Sequence, residues 1–277
     1  MKLYKPVVVI PLHSSTPSKE ELLSFKQCYK ILAKHDIIIV HPAGLDLSAY
    51  KKIQDKLKTL PIDPIWQSSL ENYNRLKCSS FFYNLFSEYN YLLTYELDAF
   101  VFKDELDFWC EKGYSYIGAP WFVGYANPIT PYKFKGVGNS GFSLRNIQIC
   151  SVILSRIELI KKIVIFYNSV KLDAVFPFAT FLRLSPLKYF FKIIKTHNVP
   201  NLISKKYVHE DLFWADWISG TFSDFKVATY EEAMRFSFEV NPEFLYLENN
   251  KELPFGCHAW LKYNPLFWKK FITNILV

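Results

Sequence analysis

Two carboxylates one residue apart, Glu96 and Asp98, interrupt an apolar run that begins Tyr91-Leu92-Leu93-Thr94-Tyr95 and resumes as Ala99-Phe100-Val101-Phe102. An unpaired carboxylate in apolar surroundings is strongly disfavoured, so two of them at a strand end call for a cation or a polar ligand. Alternation along a strand places residues i and i+2 on one face, which lets both acids point the same way. Paired oxygen donors of this kind suit a hard divalent cation, magnesium or manganese. A second acidic pair, Glu210-Asp211, opens the stretch HEDLFW. It can supply a general base or simply complement the dipole of the helix it begins. Gly136-Val137-Gly138-Asn139-Ser140-Gly141 could bring backbone amides close to a ligand. Its spacing matches neither a phosphate loop nor a dinucleotide fingerprint, and a plain turn is the alternative. His258 sits in a compact turn, PFGCHAW, where a histidine serves as a structural residue or as a ligand.

The elements that must position these groups read as alternating strands and helices. Val7-Val8-Val9-Ile10 is a short continuous apolar run, the signature of a strand covered on both faces. Ser18-Lys19-Glu20-Glu21 has the form of a capping box, and Leu22, Phe25, Cys28, Tyr29 and Leu32 then recur at helical spacing to about Lys34. Ile37 to Val40 gives a second buried strand, so the chain opens with a βαβ unit whose strands are expected to run parallel. Ligands of such sheets collect at the carboxyl ends of strands, here around Pro11-Leu12-His13. From Gln67 to Ser87 a further helical stripe places Asn74, Arg75 and Lys77 on a solvated flank. The strand carrying Glu96 and Asp98 follows directly. Tyr114 to Gly118 predicts another strand, Ile147 to about Val170 a helix, and Thr229-Tyr230-Glu231-Glu232 a second capping box.

The chain has 277 residues, half of them apolar, enough for a sizeable core in one domain. Its five cysteines are scattered and contain no C-x-x-C pair, which points away from a disulfide framework and from zinc. The N-terminus lacks a signal-peptide pattern and no apolar stretch is long enough to span a membrane, so a cytoplasmic protein is expected. The net charge of +7 is concentrated between Ser151 and Lys206, where ten Lys and Arg stand against Glu158 and Asp173. Such a basic helical segment could lie on an anionic membrane surface, hold an anionic substrate or be a solvated face. No nucleic-acid motif accompanies it. The aromatic tail, 262–277, could pack on the core or touch a membrane.

In their order along the chain, YELDAFVFKD, GYSYIGAPW, GVGNSGFSLRN, HEDLFW and FGCHAW look like successive motifs of a bacterial glycosyltransferase-like family associated with surface-polysaccharide genes. More broadly, Val7 to Trp260 resembles a GT-A type glycosyltransferase. The resemblance implies a single α/β, Rossmann-like domain over residues 1–277, with a mixed, mostly parallel central sheet flanked by helices. It also implies transfer of a sugar from a nucleotide-sugar donor to a glycan or lipid-linked acceptor, with inversion, and Mn2+ or Mg2+ as cofactor. By the same resemblance Asp98 and His258 hold the metal. Glu96, longer than the aspartate usual at its position, binds the metal or lies nearer the ribose or a metal-bound water. Gly138, Asn139, Ser140 and Gly141 then hold the donor through backbone amides, and Trp121 or Trp214 stacks on a sugar face. Asp211, in preference to Glu210, is the base. A non-catalytic nucleotide-sugar- or glycan-binding module of a polysaccharide-assembly complex is the alternative. A nucleotidyltransferase is a further one, disfavoured because no glycine-rich basic loop follows the first strand.

Overall fold

The computed structural model describes residues 4–169 and 209–272. Its strands, in chain order, are β1 (Pro6–Pro11), β2 (Asp36–Pro42), β3 (Lys58–Ile62), β4 (Tyr91–Tyr95), β5 (Phe100–Val101), β6 (Tyr116–Ile117), β7 (Ala119–Phe122), β8 (Phe134–Gly138), β9 (Phe142–Asn146), β10 (Ser237–Phe238) and β11 (Gly256–Cys257). Six of them form one sheet in the order β3-β2-β1-β4-β9-β6. The first four are mutually parallel, and β9 runs antiparallel to both β4 and β6. The expected mixed, mostly parallel sheet is therefore present, with β1 and β4 side by side at its centre.

The continuous apolar run of β1 is explained by cover on both faces. Val8 and Ile10 pack with Phe25 and Cys28 of the helix Lys19–Ile31, while Val7 and Val9 face Leu76, Phe82 and Ile153 on the other side. That helix starts at the predicted capping box: Ser18 Oγ accepts from Glu21 N at 3.1 Å, and the Glu21 carboxylate accepts from Ser18 N at 2.6 Å. The stripe from Gln67 to Ser87 divides into two helices, Leu70–Lys77 and Ser80–Asn84. The division has a local cause, since Ser69 and Ser79 each accept a hydrogen bond from the amide three residues on and so begin a new helix.

Two smaller sheets complete the frame. β5 pairs antiparallel with β11, which pairs parallel with β10, and β7 forms a hairpin with β8. Half of the glycine-rich stretch, 136–138, is thus strand, and 139–141 links β8 to β9. Phe100, Phe122, Phe238 and Cys257 form a further core with Phe267, Trp268 and Ile272, so the aromatic tail packs on the body of the protein through residue 272. The basic segment begins in the helix Ile147–Ser169, where Arg156 pairs with Asp224 at 2.9 Å on the surface, and its remainder lies outside the described residues. No helix among the described residues is long and apolar enough to cross a membrane.

Candidate active site

β4 ends at Tyr95, and the chain turns at once: Ala99 N donates to Glu96 O at 2.9 Å, and Glu96 N donates to Gly141 O at 2.8 Å. Glu96 and Asp98 therefore converge through a turn rather than through strand alternation. His258 reaches them from the small sheet, because β11 is registered against β5 with Cys257 opposite Phe100, and His258 N donates to Phe238 O at 2.9 Å. One ligand atom from each of Glu96, Asp98 and His258 lies within 4.8 Å of the others. His258 Nε2 is 3.2 Å from Asp98 Oδ1 and 3.8 Å from Glu96 Oε2, yet makes no hydrogen bond of acceptable geometry. Two carboxylates and a buried imidazole nitrogen without a hydrogen-bond partner fit a hard divalent cation better than zinc. Gly141 is required beside them, since a β-carbon there would overlap the imidazole of His258 and approach Glu96 Oε2 to 3.0 Å.

Sequence reasoning misses the support behind this group. Glu239 Oε1 lies 3.0 Å from His258 Nδ1, the carboxylate contact that fixes the ring orientation of a metal-binding histidine. Burial would lower the His258 pKa, but Asp98, Glu239 and Glu96 outweigh it and hold it well above its ordinary value. A cation at Nε2 must displace that proton. Burial likewise works against ionised Glu96, but Lys77 and His258 hold its carboxyl well below the usual range.

The three side chains open on a cavity of about 760 Å³ at the carboxyl ends of β1 and β4. Leu12, His13 and Ser14 line it on the β1 side, and Ser140, Asp211 and Lys262 line it elsewhere. Asp211, on the short helix Glu210–Leu212, has its pKa raised by burial and by the charge of Glu210. Glu210 points the other way. It is fully buried, 2.5 Å from Arg145 and 3.6 Å from Lys77, and its amide donates to Asn74 Oδ1 at 2.6 Å. A role as base is therefore corrected to a structural one: its carboxylate faces two cations and does not line the cavity.

Other expectations are also corrected. Asn74 and Lys77 are buried, not a solvated flank; Arg75 alone of the three meets that description, in a surface pair with Glu71. The amides of Asn139 and Gly141 are not free for a diphosphate, since they donate to Tyr116 Oη and Asn139 Oδ1. Gly138 has a different reason to be glycine: a β-carbon would overlap the indole of Trp121. Trp121 lies against β8 and does not line the cavity. Trp214 is fully buried, stacked on Phe225, with Nε1 donating to Lys77 O at 3.3 Å, so it offers no face to a sugar. Of the glycine-rich stretch, Ser140 reaches the wall.

The chain belongs to the family described as "Protein of unknown function (DUF5672)", whose model matches residues 56–258. No curated protein matches it. Among solved structures it is similar to the bifunctional glycosyltransferase WbbM in its apo form, with a TM-score of 0.51 and 12% identity over 99% of this chain. The chain spans 50% of the length of that protein. Galactosyltransferase LgtC, in complex with donor and acceptor sugar analogues, matches with a TM-score of 0.46 and 12% identity, covering 97% of this chain and 94% of its own. Mouse xyloside xylosyltransferase 1, apo form, matches with a TM-score of 0.46 and 10% identity, covering 92% and 97%. At 12% identity the likeness to WbbM concerns the fold alone, an α/β architecture of the GT-A type.

Proposed function

From that fold and the geometry of the site, we propose that the chain is a nucleotide-sugar-dependent glycosyltransferase that passes a sugar to a glycan or lipid-linked acceptor in cell-surface polysaccharide synthesis. The observation that carries this reading is the meeting, on one cavity, of a cation-binding group (Glu96, Asp98, His258) and a separate carboxylate, Asp211. Inverting sugar transfer uses both: neutralisation of the departing diphosphate and a base for the attacking hydroxyl. Asp98 and His258, with Glu96, would hold Mn2+ or Mg2+, which when bound neutralises the phosphate charge. Lys262 adds a cation on the same wall.

Asp211 accepts the proton of the acceptor hydroxyl as that oxygen attacks the anomeric carbon, which corresponds to inversion. Its pKa, raised by burial and by the charge of Glu210, makes it a stronger base than an ordinary aspartate. Glu210 fixes the helix start from behind through Arg145 and Asn74. The test is thermal stabilisation by a panel of UDP-, GDP-, dTDP- and CMP-sugars with and without Mn2+, because a ligand of the native state raises its stability by mass action. At least one donor is expected to stabilise the protein only with metal present. No stabilisation by any member of the panel counts against the proposal.

A further inference from the structure

The two oxygens of Glu96 have different surroundings. Oε1 accepts from Tyr73 Oη at 2.9 Å and from Lys77 Nζ at 3.1 Å, whereas Oε2 faces His258. The Lys77 side chain is 1% exposed and lies behind the cavity wall, its ammonium over the Tyr73 ring at 4.2 Å and hydrogen-bonded to Ser140. Its other carboxylate neighbour, Glu210, is farther away at 3.6 Å and is already paired with Arg145. Much of the Glu96 charge is therefore matched before any ligand arrives. A divalent ion beside Oε2 would also feel the repulsion of an ammonium that water does not screen. This arrangement gives a reason for glutamate at position 96: the longer side chain spans the distance from Lys77 to the His258 side.

Resting on the metal-dependent reading above, we propose that Lys77 keeps the Glu96, Asp98 and His258 site too weak to hold a divalent cation alone, so that cation and nucleoside diphosphate are taken up together. The diphosphate supplies the negative charge that Lys77 offsets. Lys77 is thus a positioning and charge-setting residue, not one that touches substrate.

The experiment is a calorimetric titration of MnCl2 into the wild type, Lys77→Gln and Lys77→Arg, each alone and with saturating UDP, GDP or dTDP. Folding is checked by thermal unfolding. The wild type is expected to bind Mn2+ at least about tenfold more weakly alone than with the matching nucleotide. Lys77→Gln, which keeps hydrogen-bond donors but removes the charge, is expected to tighten nucleotide-free binding about tenfold or more. Lys77→Arg should stay weak. The direction discriminates, because a residue that merely orients Glu96 gives weaker binding when replaced, and unchanged or weaker Mn2+ binding by Lys77→Gln overturns the proposal. So does a wild type that binds Mn2+ equally well without nucleotide, a result that needs no variant. A wild type that binds no Mn2+ even with all three nucleotides overturns the metal-dependent reading itself, and this inference with it.

Discussion

Two clefts of similar size open at opposite ends of the six-stranded sheet, and their charges are arranged on opposite plans. The one at the amino ends of β1, β2 and β3 encloses about 670 Å³ and carries Lys5, Lys34, Lys56 and Lys58 on its lining. Lys5 meets Glu88 at 2.6 Å, Lys34 meets Asp104 at 3.2 Å and Asp107 at 3.6 Å, and Lys58 meets Asp36. The cleft at the carboxyl ends gathers Glu96, Asp98 and Asp211 on its wall, with Lys77 behind it against Glu96 and Arg145 behind it against the buried acid Glu210. Volume does not separate a site from a groove in this molecule. What separates them is the sign of the charges facing the space: lysines, three of the four paired with acids, on one side, and acids gathered about His258 on the other.

The comparison is broken most sharply at Asp211. Asp211→Asn should lower turnover by about 10²–10⁴-fold while donor binding, followed by titration, is retained. Because burial and Glu210 raise its pKa and the base must be ionised, the rate should fall as pH falls, with a midpoint above the ordinary aspartate value of about 3.9. A rate that stays flat below that pH removes Asp211 from the reaction. Glu210→Gln leaves buried Arg145 without its carboxylate partner and should cost about 3–5 kcal/mol of stability in chemical denaturation. Gly141→Ala pushes against His258 and Glu96, and should abolish the metal-dependent stabilisation by nucleotide sugar, about 2.7 kcal/mol at a ligand concentration of 100 Kd. Lys58→Ala, in the opposite cleft, removes a surface pair worth about 0–1 kcal/mol and should leave nucleotide-sugar binding unchanged. A loss of binding there would contradict the contrast between the two clefts.

Which parts of this were legible in the sequence follows from the range of the interactions. β1, the helix Lys19–Ile31 and β2 are dictated by neighbours a few residues apart, namely apolar runs and the reciprocal bonds of Ser18 and Glu21. The chemistry-bearing side chains Glu96, Asp98, Asp211 and His258 stand out because acids and a histidine interrupt apolar stretches. Lys77 could not be read this way. A lysine on the flank of a helical stripe looks solvated, and the groups that bury it, Ser140 and Glu210, come from distant parts of the chain. Glu239 is similarly silent, being one acid after Phe238 until His258 is placed against it. The glycines were visible, but their cause was not. Gly138 and Gly141 make room for an indole and an imidazole instead of presenting amides.

The pairing of β5 with β11 has a consequence for how the protein assembles. Asp98 lies two residues before β5 and His258 immediately follows β11, so the cation-binding group straddles a junction between segments remote in sequence and held by strands of two residues each. An ion bridging that junction acts as a clasp: its uptake should slow amide exchange at Phe100, Val101, Gly256 and Cys257 more than in the long strands of the main sheet. Occupancy of the site would then be readable from the backbone, without any measurement of turnover.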